Sequence, residues 1–310
     1  MSRMFQSSGD LIADRRYEYA QSASADGDHA AAADLLQQTL ELAPGWPPAW
    51  FALGEARLAL KDADGARKAY ERCRALDPAD EQGAGVALAA LGASAEAPSS
   101  MSAGYVRNLF DQYAERFDHH LTRHLGYRGP ELIVATLTRA CAIEGVRPPF
   151  QRALDLGCGT GLLGEALGEM AKTLEGVDLS PRMLRMAKKR GCYDRLAEAE
   201  MLAFLAASES QHYDLITAAD VFVYAGDLAP VLAAAARALK PRGLIAFSIQ
   251  STDAADHVLG SERRFSHHPA YVEKSLRESG FSIVRNEPTS TRMENSKPVP
   301  GAIFVATKKR

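Results

Sequence analysis

The run Ala153-Leu154-Asp155-Leu156-Gly157-Cys158-Gly159-Thr160-Gly161 constrains this chain more than any other stretch. Ala153, Leu154 and Leu156 make a short apolar strand broken only by an acid, and three alternate glycines follow it. Glycine reaches positive φ without a Cβ penalty and lets a ligand come close to the backbone. Leu162-Leu163-Gly164-Glu165-Ala166-Leu167 then has helical apolar spacing. A strand, a glycine turn and a helix start together predict a nucleotide-type ligand cradle in an α/β sheet.

At 310 residues the chain has room for two domains. A formal charge of -3 gives no broad cationic surface of the kind that holds phosphates, so nucleic acid is not an expected partner. Cys73, Cys141, Cys158 and Cys192 form no CxxC pair, which predicts neither a zinc site nor a disulfide framework and suits a reducing cytoplasm. No metal is expected. Residues 1–10 lack an apolar signal core and no run reaches membrane-spanning length, so a soluble protein without a membrane partner is expected.

Alanine and leucine at helical spacing fill residues 1–93, whereas strand-like runs begin only at Arg152. Trp50, Leu53, Gly54, Ala66, Tyr70 and Pro78 stand where a tetratricopeptide repeat wants a large residue, Leu-Gly, a small residue, an aromatic and a closing proline. Stepping back 34 residues brings Arg16, Tyr19, Ala20, Ala32, Leu36 and Pro44 to the same places, a weaker copy over 13–46 before the one over 47–80. Residues 82–93 supply a capping helix. The repeats read either as a surface for a protein partner or self-association, or as a brace. Residues 94–103 read as a linker. Beyond it, Val106, Leu109, Phe110, Tyr113 and Phe117 mark a helix, and Glu131 to Ile143 another. Strands are predicted near 152–156, 174–178, 194–199, 213–218, 243–249, 281–286 and 301–307, with helices near 162–171, 181–190, 228–239 and 269–279. The expected fold class is α/β, a doubly wound, seven-stranded, mostly parallel sheet with an all-α N-terminal domain. The last two strands should form an antiparallel hairpin at one edge.

The pattern from Leu154 to Gly161 resembles motif I of class I S-adenosylmethionine-dependent methyltransferases, which are Rossmann-like, over residues 104–310. With the repeats, the chain resembles methyltransferases that carry N-terminal tetratricopeptide repeats. The resemblance implies that Gly157, Gly159 and Gly161 line the methionine and ribose of S-adenosyl-L-methionine and that Asp155 helps bind its amino group. Asp178, 17 residues after Gly161 at the end of the second strand, matches the acid that holds the ribose hydroxyls, with Leu179 beside it. Glu200 and Met201 resemble the adenine position, although Glu200 also reads as a solvated helix start. Tyr113 lies on a helix that resembles the one closing over the cofactor in many such enzymes. His119 and His120 read as bases or as exposed helix residues.

Asp220 follows the fourth strand and should open onto the carboxyl edge of the sheet as a cofactor contact and active-site candidate, with Val221, Phe222, Val223 and Tyr224 as wall or core. Arg263, Arg264, His267 and His268 lie where this family commonly takes its substrate, and Arg292 and Glu294 are candidates to join them. The expected reaction is methyl transfer to an O or N nucleophile of an unidentified acceptor, small molecule or protein. His267 and Tyr224 are the expected catalytic pair, and Arg264, His267 and Arg292 the expected substrate contacts. The absence of an Asn-Pro-Pro-Tyr type segment after the fourth strand argues against amino-methylation of nucleic acid. Two rivals stand beside this reading. Gly159, Gly161 and Gly164 with Asp178 also satisfy a dinucleotide pattern, which would make an NAD(P)-dependent oxidoreductase. A repeat-mediated binding protein with a cofactor-sensing fold is the other.

Overall fold

The computed structural model describes residues 7–92, 99–119, 121, 125–294 and 296–310. They form two compact units: the described residues up to Asn108 with Ser261–Arg263, and Leu109–Gly260 with Arg264–Arg310.

The first unit is a run of helices, each packed on the next, α1 (Leu11–Ala25), α2 (His29–Leu42), α3 (Pro47–Ala59), α4 (Ala63–Leu76) and α5 (Ala84–Ala90). Asp10, Asp28 and Asp62 start α1, α2 and α4, each side chain accepting an N–H of the first turn. Such a cap is worth about 1 kcal/mol. The Leu-Gly pair of the repeat has a packing cause: a Cβ at Gly54 would stand 2.3 Å from the buried Tyr70 ring, so only glycine lets α3 and α4 close up. The weaker copy differs from its expected register. Tyr19, aligned with Leu53, is 64% exposed, and Tyr17 fills the core instead, 4.7 Å from the Trp46 ring. Ala84, Ala87 and Leu88 of α5 share one cluster with Phe51, Tyr70 and Cys73, the capping expected of 82–93. Arg263 is engaged in this unit too, paired with Glu55 and set over the Phe51 and Tyr70 rings. Of the expected linker, residues 94–98 lie outside the described residues, and Ala103 already begins α6 (Ala103–His119).

The second unit takes α6 from Leu109 onward and adds α7 (Gly129–Glu144) and the sheet. Its strands in chain order are β1 (Ala153–Leu156), β2 (Leu174–Asp178), β3 (Arg195–Glu198), β4 (Tyr213–Ala218), β5 (Leu239–Gln250), β6 (His257–Leu259), β7 (Phe265–His267), β8 (Phe281–Thr289), β9 (Met293–Glu294), β10 (Lys297–Pro298) and β11 (Gly301–Lys308). Between them run α8 (Leu162–Leu167), α9 (Pro181–Arg190), α10 (Met201–Ala207), α11 (Ala229–Ala238) and α12 (Pro269–Glu278). The main sheet has seven strands in the order β3-β2-β1-β4-β5-β11-β8. The first five are parallel neighbours, while β11 runs antiparallel to both β5 and β8 and so closes the expected hairpin. Helices cover both faces, burying one cluster around Leu154, Ile216 and Phe247 and another around Ile133, Leu215 and Ile303. The strand order reverses between β1 and β4, and the crevice outside their carboxyl ends is where ligands bind in such sheets. α10 and the small hairpins β6–β7 and β9–β10 were not expected from the sequence, being too short to show a period. Among the described residues, no helix is long and apolar enough to cross a membrane.

Candidate cofactor and acceptor site

Leaving β1, the chain turns through Gly157, Gly159 and Gly161 at φ of 62°, 53° and 93°. The glycines do different jobs. A Cβ at Gly157 would lie 2.5 Å from Val221, so this glycine serves packing. A Cβ at Gly159 would meet only Phe117, at 3.9 Å, so the space beside it is available to a ligand.

Asp178, at the tip of β2, holds that turn in place. Its Oδ2 accepts the Gly159 N–H at 2.9 Å and its Oδ1 the Ser180 N–H at 2.8 Å. Burial pushes its pKa up to about 6 against the pull of those two bonds. Ionised, a carboxylate has lone pairs left for two hydroxyl donors, so Asp178 fits a ribose. Asp155 departs from its expected contact with the amino group. It is 1% exposed beneath the turn, with Oδ2 accepting from the Tyr193 hydroxyl at 2.7 Å and Oδ1 from Thr217 at 3.1 Å. Burial pushes its pKa up to about 7. Its carboxylate is thus sealed from solvent and engaged by side chains of other elements. Leu179 is half-buried between Asp178 and the α9 cap Ser180. Glu200 caps α10, accepting the Ala203 N–H at 2.7 Å, and Met201 packs against the core. The cap engages only Oε2 and leaves Oε1 of the carboxylate unused by it.

The carboxyl-terminal half of α6 is fastened over this turn. Asp111 accepts from the Ser180 hydroxyl and the Arg182 backbone N–H, and Asp118 from the Thr160 hydroxyl and the Arg190 guanidinium. Between these anchors an aromatic row runs Tyr113–Phe117–Phe110–Tyr224, with edge-on centroid separations of 5.5, 5.9 and 5.4 Å. Tyr113 and Tyr224, remote in sequence, thus share one wall. The two acids seven residues apart on an aromatic helix face were a legible signal for this docking. Tyr193, Thr217 and Arg190 carried none. His119 is exposed, and His120 lies outside the described residues.

Asp220 leaves β4 at φ 53°, an unusual conformation for a residue with a Cβ. Its N–H donates to Ser248 Oγ at 2.8 Å, and its Oδ1 accepts from Ser248 and Thr291 at 3.0 and 3.3 Å. Arg292 Nη1 stands 3.9 Å from Oδ2. Tyr224, in a short turn of 3-10 helix (Phe222–Tyr224), is half-buried, and burial raises its phenol pKa while Arg264 works against that rise. Phe222 and Val223 are core. His267 is corrected. It is 0% exposed, its Nε2–H faces the carbonyls of Ala225 and Gly226 at 2.9 and 3.1 Å, and burial lowers its pKa to about 4. That geometry pins a loop and leaves no ring nitrogen at the surface for a substrate or a proton. His268 caps α12.

The turn, the ribose-type acid and the lid of α6 fit S-adenosylmethionine, and among the described residues no group of three or more metal-binding side chains gathers. Comparison agrees. A family model described as a methyltransferase domain matches residues 154–245, and one described as a tetratricopeptide repeat matches 23–91. A ubiquinone biosynthesis O-methyltransferase of Idiomarina loihiensis is 31% identical over 138 residues, 40% of this chain and 57% of that protein. Its namesake from Paracidovorax citrulli is 30% identical over 146 residues, covering 43% and 61%. The chain thus spans about half to three fifths of the length of these curated relatives. Among solved structures, the magnesium protoporphyrin IX methyltransferase of Synechocystis aligns over 67% of this chain and 99% of its own, at TM-score 0.51 and 19% identity. The 1,6-didemethyltoxoflavin-N1-methyltransferase of Burkholderia thailandensis aligns over 67% and 89%, at TM-score 0.52 and 18% identity. At such identities the alignments speak for the fold. By strand order and these matches, the chain joins a region that matches a tetratricopeptide-repeat model to a region that matches a methyltransferase-domain model and shares its fold with solved methyltransferases.

Proposed function

We propose that this chain transfers the methyl group of S-adenosylmethionine to an oxygen or nitrogen nucleophile, with oxygen favoured by the O-methyltransferase name of its relatives. The observation that carries the reading is the Asp178 carboxylate bonded to the Gly159 N–H, beside a space where, among the described residues, an added Cβ would meet only Phe117 at 3.9 Å. When bound, the cofactor supplies an electrophilic methyl on a sulfonium with a good leaving group, so the protein's work is mainly alignment and exclusion of water. Asp178 would take the ribose hydroxyls, the backbone of 157–161 would face the methionine part, and the aromatic row of α6 would shield the site. Tyr224, its phenol kept protonated by burial, would donate a hydrogen bond and orient the acceptor. Among the described residues, Oδ2 of Asp220 makes only its long contact with Arg292, and we assign it to take the acceptor's proton.

Full-length protein given labelled S-adenosylmethionine and fractionated lysate should release S-adenosylhomocysteine and label one fraction. Failure to bind S-adenosylhomocysteine in calorimetry sinks the reading. Binding without turnover in every fraction would favour a binding protein instead. Leu11 and Ile12 of α1 are 83% and 60% exposed, which supports a protein-contact role for the repeats, with this chain or another. Sedimentation of a Leu11→Ser, Ile12→Ser variant against the parent protein tests that role. Four free cysteines fit work in a reducing cytoplasm.

A further inference from the structure

Arg292, in the connection from β8 to β11, is 4% exposed. A guanidinium has five N–H donors and does not shed its charge in proteins. Among the described residues Arg292 makes a single side-chain hydrogen bond, from Nη2 to Gln250 Oε1 at 2.9 Å. The nearest carboxylates stand back, Asp220 Oδ2 at 3.9 Å and Glu294 Oε2 at 3.8 Å, too far for hydrogen bonds. Asp220 is held there, because Ser248 and Thr291 both donate to its Oδ1. The loop is fixed as well: Arg128 N–H donates to Thr291 O at 2.8 Å and Met293 N–H to Leu125 O at 2.7 Å. Among the described residues, none of its nitrogens is one of the sealed polar atoms that lack a partner, so its unused donors open onto the site and are available to an acceptor that arrives there.

A second cation acts on the same site. Arg264 lies near enough that its charge acts against that of Arg292, and both guanidiniums favour ionisation of the Tyr224 phenol. Like charges held together in a partly dry site favour an anion between them. The flanking carboxylates of Asp220 and Glu294 would repel a phosphate dianion more than a monoanion. A planar carboxylate also matches the guanidinium fork. Beside the cluster stand the Tyr224 ring and, edge-on to it at 5.4 Å, Phe110, a wall suited to an aromatic body.

We propose that Arg292, with Arg264 and the Tyr224 hydroxyl, holds a carboxylate of the methyl acceptor, which is therefore an aromatic acid whose nucleophile is turned toward Asp220. This rests on the methyl-transfer reading above. The same chemistry would suit the carboxylate in the methionine part of the cofactor, and the experiment separates the two sources.

Full-length protein is titrated calorimetrically with benzoate, benzamide and phenyl phosphate, both saturated with S-adenosylhomocysteine and without it. Benzoate should bind at least about tenfold more tightly than its neutral isostere and than the phosphate, a difference of about 1.4 kcal/mol. Arg292→Gln and, separately, the half-buried Arg264→Gln should erase the preference and leave affinity for S-adenosylhomocysteine within about twofold. Arg264→Gln decides the matter if Arg292→Gln fails to fold. Benzoate binding no better than benzamide, or a preference that survives in the variants, overturns the proposal. A loss of S-adenosylhomocysteine affinity in the variants overturns it too, by giving the carboxylate to the cofactor. If S-adenosylhomocysteine does not bind the parent protein, methyl transfer fails as a reading, and the titration without it still decides for or against the anion site.

Discussion

Gly157 and Gly159 are one motif in sequence and two problems in space. Gly157→Ala meets both a positive φ and the Val221 side chain, and should destabilise the protein by about 2–4 kcal/mol in denaturant melts. Gly159→Ala meets the backbone strain alone, about 1–2 kcal/mol, but puts a methyl into the cradle and should weaken S-adenosylhomocysteine binding at least about tenfold by calorimetry. Equal losses of stability and affinity in both variants would contradict this division of labour. Asp178 was legible through the resemblance, which implies an acid at the end of the second strand, and the parallel pairing of β1 with β2 brings it to the turn. Asp155 was half legible. Its position at the turn was plain, but its partners Tyr193 and Thr217 come from other elements, and they decide that it faces inward. His267 was misread for the same reason, because nothing local says which face of a three-residue strand is buried. His267→Asn should cost about 1–3 kcal/mol of stability and leave the shape of the activity–pH profile unchanged.

Among the elements, the periodic ones were readable and the short ones were not. α6, α7, α9, α11 and α12 carry enough turns to show their apolar stripe, and the strands of the main sheet are apolar runs punctuated by turns. α10, with seven residues, hid behind the capping glutamate Glu200. What the sequence of α6 did not reveal is how it is fastened. Asp118 reaches the Thr160 hydroxyl in the glycine turn and Arg190 at the end of α9, and Arg190 in turn donates to the Thr160 carbonyl at 2.9 Å and pairs with Glu165. This partly exposed network is worth little for overall stability, about 0.5–1 kcal/mol, yet it spans the cradle. Asp118→Asn should therefore speed dissociation of S-adenosylhomocysteine by roughly two- to fivefold in stopped flow while moving the unfolding midpoint little. A large drop in stability with unchanged dissociation would show that α6 is a brace and not a lid.

At the scale of the whole molecule, the two buried acids link pH to stability and binding in opposite directions. Asp155 and Asp178 have folded pKa values of about 7 and about 6, above the usual 3.8, so the folded state binds more protons than the unfolded one between those values. Their contribution to stability is full below 3.8 and is lost as pH rises through 6 and 7. Protonating Asp178 removes an acceptor from the ribose position, so affinity for S-adenosylhomocysteine should fall as pH drops through about 6. Melting curves and calorimetry at pH 5.5 and 7.5 would reveal the crossing trends, and parallel trends would refute the assignment. Local rules along the chain sufficed for the helical repeats set by Gly54 and Tyr70, the strand–turn–helix unit, the alternation of strands and helices, and hence a ligand crevice at the carboxyl ends of β1 and β4. Contacts across the fold turn Asp155 inward while Asp178 holds the glycine turn, seal His267 away, and leave Arg292, among the described residues, with a single side-chain hydrogen bond. Those outcomes depend on partners tens or hundreds of residues apart, and burial and hydrogen bonding across such distances leave no period in the chain.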